Sequence, residues 1–464
     1  MKIRSLGLIP FVAVGLVACN SGSEASTSST LGASSVTNVA QTASTIDISK
    51  ISGFSENWSS ASFLNTSPYQ KLSNNITIGF LTNKSDSSDL YWGDAATIGT
   101  PLIDPRNPVD IINYVNASGH PASQFMLSFG GATNDEGWKL LQQSGSSNAI
   151  ELADKLANIV NSAGLAGVDV DIDVPYLDTV FKQNFKTFFA ELRQKLGNKK
   201  ISVDLPNLGA CTRSSSLPVC TWAYGWGATN INNAAWFFQA DSQGNNAIDS
   251  YVDYYNVMNY SWGGGLDAST SLQYSENALQ TYLNLGVSPT RLNYGLDVGE
   301  DTDRNNITSD NLSKIITYVN TEQLKGIFIW DYNYDQLHAS LNNYGNMSLV
   351  NALSGGSPEP GPSSNYILEV SNLGPNTGVQ VTKISNQSVS LSGGLDWMGP
   401  GTDKVYNNTT PTSVAVLQGA TNLVVHWETY PGGPSGDCSE KLNFTANMHI
   451  MINPDTPACS ITQL

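Results

Sequence analysis

Apolar and acidic residues alternate in the stretch from Leu165 to Val174, which reads LAGVDVDIDV. A period of two residues predicts a β-strand, because successive side chains on an extended backbone point to opposite faces. One face would carry β-branched residues, and the other would carry Asp169, Asp171 and Asp173 about 6.7 Å apart. Like charges at that spacing raise one another's pKa, so at least one carboxyl is expected to hold a proton near neutral pH, as a general acid must. The alternatives are a solvated strand or a calcium site, although calcium loops are Gly-rich turns rather than β-branched strands.

Strands and helices alternate on both sides of this acidic strand. Apolar runs predict seven further strands at residues 50–54, 75–81, 124–131, 201–205, 252–260, 292–298 and 327–332. Helical spacing of apolar residues predicts helices at 110–115, 149–163, 180–196, 277–285 and 312–319. Eight strands alternating with helices indicate an α/β fold, a (β/α)8 TIM barrel that extends over residues 48–353. Catalytic residues of such barrels lie at the C-terminal ends of the strands, which is where Gly130, Asp173 and Tyr260 fall.

The composition changes after the predicted barrel. Residues 354–364, SGGSPEPGPSS, suit neither helix nor sheet and predict a stiff linker. Residues 365–464 contain short alternating runs at 366–370, 378–384, 388–391, 413–417, 422–429 and 441–452, which predict a small all-β sandwich. Trp397 and Trp427 could stack on sugars there, so the domain is a candidate for carbohydrate binding, but a buried core tryptophan is the commoner role.

The N-terminus has the pattern of an export signal. Lys2 and Arg4 precede an apolar run over residues 6–17 that is too short to cross a bilayer. The run ends in Leu-Val-Ala-Cys19, which resembles the lipobox of bacterial lipoproteins, so residues 1–19 are predicted to be removed up to a lipidated Cys19. An ordinary cleaved signal peptide is the alternative. Residues 20–47 are rich in Ser, Thr and Ala and predict a flexible tether to the outer membrane or cell surface.

The net charge and the histidine content argue against two classes of function, and the cysteine content predicts disulfides. The formal net charge of −17 argues against nucleic-acid binding, and four scattered histidines give zinc few ligands. Four cysteines besides Cys19 would pair in an oxidising compartment. Proximity favours the pairs Cys211–Cys220 and Cys438–Cys459, although the sequence allows three connectivities.

Four separated motifs resemble glycoside hydrolase family 18, the chitinase family, over a region from about Lys50 to Ser354. Residues 128–131, Ser-Phe-Gly-Gly, resemble the third-strand Ser-x-Gly-Gly of that family. Residues 166–173 resemble its Asp-Gly-x-Asp-x-Asp-x-Glu, and residues 258–260, Met-Asn-Tyr, resemble its sixth-strand Met-x-Tyr. Trp330 resembles the tryptophan at the floor of the cleavage subsite. The four motifs occur in order on the expected strands.

The resemblance implies a retaining, substrate-assisted hydrolysis in which the N-acetyl group of the sugar attacks its own anomeric carbon. Asp173 would protonate the glycosidic oxygen, Asp171 would orient the acetamido group, and Asp169 would buffer the charge of Asp171. Tyr260 would hydrogen-bond the acetyl carbonyl, and Trp330 would stack beneath the sugar ring. The resemblance implies further substrate-binding residues at Met258, Ser128, Gly130 and Gly131, and it implies no cofactor or metal.

The chain departs from the family motif at two positions. Ala166 replaces the first aspartate, which removes a supporting interaction. Asp173 replaces the glutamate acid, so its carboxyl is about 1.5 Å short of the usual reach, and a misplacement of about 1 Å can cost on the order of 100-fold in rate.

Six further residues are candidates for the cleft. Asp204 and Asp297 lie on the fifth and seventh predicted strands. The four tryptophans on or beside the loops after the fifth and sixth predicted strands could stack on sugars or pack the loops: Trp222, Trp226, Trp236 and Trp262.

The sequence therefore predicts a hydrolase of β-1,4-linked N-acetylglucosamine in chitin or chitooligosaccharides. The two departures leave a non-catalytic or nearly inactive chitin- or glycan-binding protein as an alternative. A third hypothesis is an endo-β-N-acetylglucosaminidase on N-glycan cores. The expected partners are an N-acetylglucosamine-containing glycan and, through the lipid anchor, the outer membrane, and the protein is expected to be a monomer.

Overall fold

The computed structural model describes residues 45–73, 76–93, 100–173, 176–228, 231–240, 247–262, 266–299, 303, 306–339 and 347–356, and short strands beyond residue 356. Cys19, the signal segment, residues 20–44 of the tether and residues 357–364 of the linker lie outside the described residues. Their assignments stay predictions. None of the helices described is long and apolar enough to cross a membrane.

A closed barrel of parallel strands forms the centre of the described structure. The strands of this sheet are β1 (Ile51–Glu56), β2 (Ile76–Lys84), β3 (Ser87–Trp92), β4 (Phe125–Gly130), β5 (Gly167–Asp171), β6 (Lys200–Pro206), β7 (Tyr254–Met258), β8 (Leu292–Asp297) and β9 (Gly326–Trp330). The parallel strands follow chain order from β1 through β2 and β4 to β9, and β9 pairs with β1 to close the barrel. β3 lies outside this ring and pairs antiparallel with β2. The predicted (β/α)8 barrel is confirmed.

Helices connect the strands. They are α1 (Val109–Ser118), α2 (Asp135–Trp138), α3 (Ser147–Ser162), α4 (Thr179–Leu196), α5 (Pro218–Trp226), α6 (Ala268–Asn284), α7 (Ser309–Thr321), α8 (Tyr332–His338) and α9 (Leu349–Leu353). α4 begins where the side chain of Asp178 accepts a hydrogen bond from the amide of Phe181, and it buries a stripe of phenylalanines.

α6 begins earlier in the chain than the apolar pattern predicts. The side chain of Asp267 accepts hydrogen bonds from the amides of Ser269 and Thr270, which fixes the N-terminus of the helix. The residues buried in its first two turns are Ser271 and Ser275. Because these side chains are polar, the hydrophobic period reveals only the second half of the helix.

The acidic strand β5 lies between β4 and β6. Val168 and Val170 are fully buried in the hydrophobic core, as the alternating pattern predicts. The strand ends at Asp171, which pairs with Gly130 of β4 and Asp204 of β6. Asp173 therefore lies beyond the strand rather than on its face.

The cysteines support the predicted pairing as far as the structure describes them. Cys211 and Cys220 form a disulfide and are buried in a small cluster with Val219, Trp262 and Ala278. Cys459 is also disulfide-bonded. The side chain of Cys438 lies outside the described residues, so its pairing with Cys459 stays a prediction.

The described strands beyond residue 356 form two further sheets. They are β10 (Leu368–Asn372), β11 (Val379–Ser385), β12 (Ser390–Leu391), β13 (Trp397–Met398), β14 (Asp403–Tyr406), β15 (Val424–Thr429), β16 (Ser435–Ser439), β17 (Met448–Asn453) and β18 (Ala458–Gln463). One sheet has the order β14-β10-β17-β18 and the other β12-β11-β15-β16, with β13 paired to β11. Trp427 on β15 is 1% exposed and packs against Gly436, so it is a core residue. The predicted strand at 413–417 and the Trp397 side chain lie outside the described residues, and carbohydrate binding by this region stays a prediction.

Gly130 provides a test of the packing between β4 and β5. Its φ is +127°, and a Cβ there would lie 1.8 Å from the carbonyl oxygen of Asp171. Gly145 also has a positive φ, +89°, but a Cβ there would meet nothing within 4 Å. Urea unfolding should show that Gly130→Ala lowers the free energy of unfolding by about 3 kcal/mol or more, against about 1 kcal/mol for Gly145→Ala. Equal losses would contradict the assigned contact.

Candidate active site

A cleft of about 390 Å³ opens at the C-terminal ends of the barrel strands. Aromatic and acidic side chains dominate its walls, and no lysine or arginine of the described chain lines it. The lining includes Phe54, Trp58, Phe80, Thr82, Asp171, Asp173, Asp204, Met258, Tyr260, Ser261, Asp297 and Trp330. Seven of the fifteen candidate residues that the sequence selected line the cleft: Asp171, Asp173, Asp204, Met258, Tyr260, Asp297 and Trp330.

Asp169 lies beneath the cleft and does not line it. Its carboxylate is fully buried and accepts hydrogen bonds from Ser128 Oγ at 2.8 Å and from Ser202 Oγ at 2.5 Å. The register of the sheet places both serines directly opposite Asp169, on β4 and β6. Burial raises the pKa of Asp169, and the two hydroxyl donors oppose that rise.

Asp171 is a buried acid that lines the cleft. It is 6% exposed, and its Oδ1 has no hydrogen-bond partner among the described residues. Burial raises its pKa well above the ordinary value, and the charges of Asp173 and Asp169 raise it further. An unpartnered carboxyl oxygen in a poorly solvated wall can accept a hydrogen bond from a ligand or hold a proton.

Asp173 is partly buried in the wall of the cleft. Burial raises its pKa to about 6, with a smaller contribution from the negative charge of Asp135 at the start of α2. A carboxyl with that pKa holds a proton over part of the mildly acidic range and can therefore act as a general acid.

Tyr260 and Met258 line the same cleft at the end of β7. Burial and the charge of Asp297 raise the pKa of Tyr260 well above its usual range, so the phenol stays neutral and can donate a hydrogen bond. The side chain of Asn207 donates to the carbonyl of Tyr260 at 2.7 Å, and the amide of Ser261 donates to Asp303 at 2.9 Å. These contacts hold the backbone that carries the phenol.

Trp330 forms an aromatic floor. Its ring stacks on Phe80 with centroids 5.4 Å apart and meets Phe54 edge-on at 5.2 Å. Phe54 also contacts Phe328 of β9. A tryptophan held between two phenylalanines offers a rigid apolar surface to the less polar face of a sugar ring.

The predicted third-strand residues do not line the cleft. Ser128 supports Asp169, as described above. Gly130 and Gly131 lie against Asp171, and the amide of Gly131 donates to the carbonyl of Asp171 at 3.2 Å. These three residues lie outside the lining of the cleft, and their role in binding a ligand stays a prediction.

The four loop tryptophans also lie outside the lining of the cleft. Trp262 is buried against Trp222 and Tyr274, and Trp236 packs on Phe237. Trp226, by contrast, is 79% exposed.

Sequence reasoning missed two features at the end of β1. Trp58 is 61% exposed and lines the cleft. Glu56 is buried, accepts a hydrogen bond from Ser59 Oγ at 2.8 Å, and contacts the carboxyl of Asp331, which caps α8 directly after Trp330. Burial raises the pKa of both acids. The sequence signal for Glu56 and Trp58 was their position at the C-terminal end of a barrel strand, shortly after Phe54.

The described residues contain no group of three or more His, Cys, Asp or Glu side chains arranged to hold a metal ion. Asp169 contacts two serine hydroxyls, and Asp204 contacts the side-chain amide of Asn256.

Several solved structures are similar to this chain at low sequence identity. Among solved structures, the chain is similar to a chitinase from Rhizomucor miehei, at 16% identity over 66% of this chain and 99% of that one, with a TM-score of 0.45. It is also similar to a chitinase from Bacillus thuringiensis, at 13% identity over 87% of this chain and 86% of that one, with a TM-score of 0.44. A fungal endo-β-N-acetylglucosaminidase matches at 14% identity over 66% of this chain and 98% of that one, with a TM-score of 0.46.

A search of curated protein sequences gave no significant match. The family model for glycosyl hydrolases family 18 matches residues 50–309, which is more than half of the chain and includes all of β1 to β8. The chain therefore belongs to glycosyl hydrolases family 18.

Proposed function

We propose that the protein hydrolyses β-1,4-linked N-acetylglucosamine in chitin or chitooligosaccharides by a substrate-assisted, retaining mechanism. The observation that carries the proposal is Asp171, a buried carboxyl that lines the cleft and whose Oδ1 has no hydrogen-bond partner among the described residues. An acetamido group entering the cleft would supply the N–H donor that this oxygen lacks. As the acetamido group becomes an oxazolinium ion it gains a positive charge, which the neighbouring acids would stabilise.

Asp173 is the general acid in this mechanism. The protonated carboxyl delivers its proton to the glycosidic oxygen as the bond to the leaving sugar breaks. After the leaving sugar departs, the same carboxylate accepts a proton from the water that opens the oxazolinium ring, and the acid is regenerated. A pKa of about 6 allows both roles in a mildly acidic solution.

Tyr260 and Trp330 position the reacting sugar. The neutral phenol of Tyr260 donates a hydrogen bond to the acetyl carbonyl and thereby directs its oxygen at the anomeric carbon. The indole of Trp330, held by Phe54 and Phe80, supports the ring from below. Holding two reacting groups in attack geometry replaces a bimolecular step with an intramolecular one, which is a large source of rate enhancement.

The aspartate at position 173 also supports a second candidate function, glycan binding. Asp173 is about one C–C bond shorter than the glutamate of the family motif, which favours a glycan-binding protein with little turnover. In that case chitooligosaccharides would bind in the same cleft over Trp330, and no reducing ends would be released.

Variants at position 173 separate the two functions. We expect the wild type to release the fluorophore from a fluorogenic chitotrioside, and Asp173→Glu to be no faster, because Asp173 already lines the cleft and has a pKa raised to about 6. Asp173→Ala should lose about 100-fold or more in kcat for unsubstituted chitooligosaccharides, since the leaving sugar then departs without its proton. Glu136→Gln, a change in an exposed acid, is the control. A wild type that binds the substrate but turns over only after Asp173→Glu would support the binding protein instead.

The pH profile tests the assignment of the acid. Only the protonated form of Asp173 is active, so kcat/KM should fall as the pH rises through about 6. Asp135→Asn removes a negative charge that raises this pKa and should move the falling limb to lower pH by roughly 0.5 unit. Glu136→Gln should leave the limb in place, because Glu136 is not among the charges that raise the pKa of Asp173. A limb that does not respond to Asp135→Asn would show that another group supplies the proton.

A further inference from the structure

Asp204 is a buried acid that the mechanism above does not use. It lies on β6, is 1% exposed, and pairs in register with Asp171 of β5. It lines the cleft together with Asp171 and Tyr260, and its charge interacts with those two residues and with Asp169 beneath them. An ionised acid in that position would raise the pKa of the neighbouring carboxyls, whereas a protonated one would not.

A chain of amides fixes one side of Asp204. Asn293 Nδ2 donates to Asn256 Oδ1 at 2.8 Å, and Asn256 Nδ2 donates to Asp204 Oδ1 at 2.7 Å. All three side chains are buried. Because the oxygen of Asn256 is occupied by Asn293, its NH2 group must face Asp204, so Oδ1 of Asp204 is an acceptor.

The carboxyl of Asp204 lies beside that of Asp169, and each carboxyl shifts the pKa of the other. Two carboxyls in contact share one proton, because both cannot be ionised in a dry interior. Asp169 already accepts from two hydroxyls, Ser128 and Ser202, which stabilise its charged form. Burial and the charges of Asp169 and Asp171 raise the pKa of Asp204 well above the ordinary value. The proton therefore belongs to Asp204.

We infer that Asp204 is a positioning residue: a protonated carboxyl that accepts from Asn256 and donates to Asp169, and so braces the strand that carries Asp171. This inference rests on the proposed function, because the braced residue is the one assigned to the acetamido group. The hydrogen bond gives Asp169 a third donor and keeps it ionised. An ionised Asp169 in turn favours a proton on Asp171 in the empty cleft, which Asp171 can lose as the oxazolinium charge develops.

Two substitutions at position 204 distinguish this role from others. Asp204→Asn keeps an N–H donor for Asp169 and an acceptor for Asn256, whereas Asp204→Leu has a similar size and offers neither. We expect Asp204→Asn to stay within roughly threefold of the wild-type kcat, and Asp204→Leu to lose about 30-fold or more with KM little changed. Ser202→Ala, a smaller change that removes another donor to Asp169, should lower kcat in the same direction, and melting temperatures identify any variant that fails to fold.

A spectroscopic readout makes the test independent of turnover. Infrared difference spectra between the wild type and Asp204→Asn at pH 7 should show the C=O stretch of a protonated carboxyl that only the wild type has. If that band is present and the wild type is inactive on chitooligosaccharides, the proposed function fails and the protonation of Asp204 stands. The inference is overturned if the band is absent, if Asp204→Asn is as inactive as Asp171→Asn, or if folded Asp204→Leu keeps the wild-type kcat and pH profile.

Discussion

The register of β5 between β4 and β6 is the constraint on which the site depends. One layer of the barrel interior brings two hydroxyls to the carboxylate of Asp169, and the next layer places Asp171 between the close-packed Gly130 and the acid Asp204. A shift of one residue would turn every acid of β5 toward the helices and every valine into the cleft. The buried valines on the outer side make such a shift costly, so hydrophobic packing on one face holds the chemistry on the other.

The site is costly to build because it takes carboxyl groups out of water. Asp171 and Asp204 are nearly inaccessible, and burial raises the pKa of both. For Asp173 the folded-state pKa is about 6, above the ordinary value near 4, so this group makes the folded state less stable as the pH rises from about 4 to 6. The same perturbation supplies a proton donor in a cleft lined by aromatic rings. The destabilisation is therefore a direct consequence of the environment that the mechanism requires.

Much of the barrel could be predicted from the sequence, because its strands have continuous apolar runs and β5 has a strict period of two. Asp171, Asp173, Tyr260 and Trp330 were found because motif position and strand end coincided. The hydrogen bonds to Asp169 from Ser128 and Ser202 depend on which residues of neighbouring strands lie opposite each other. That register is set by packing of the whole barrel, and no local pattern encodes it.

The same reasoning explains the contact between Glu56 and Asp331. These residues are 275 positions apart in the chain, and only the closure of the barrel through β1 and β9 brings their strand ends together. The position of Asp173 beyond the end of β5 had a similar cause, since pairing with both neighbours stops at Asp171. Pattern reasoning thus identified the barrel strands, missed the polar first half of α6, and failed where contacts join distant elements.

The central claim is that the substrate's own acetamido group attacks the anomeric carbon while Asp171 holds it and Asp173 supplies the proton. The anomeric form of the first product tests this most directly, measured by proton NMR within the first minutes of chitotetraose hydrolysis, before mutarotation. Two successive inversions at the anomeric carbon predict the β-anomer. The α-anomer as the initial product would mean direct attack by water and would contradict the account.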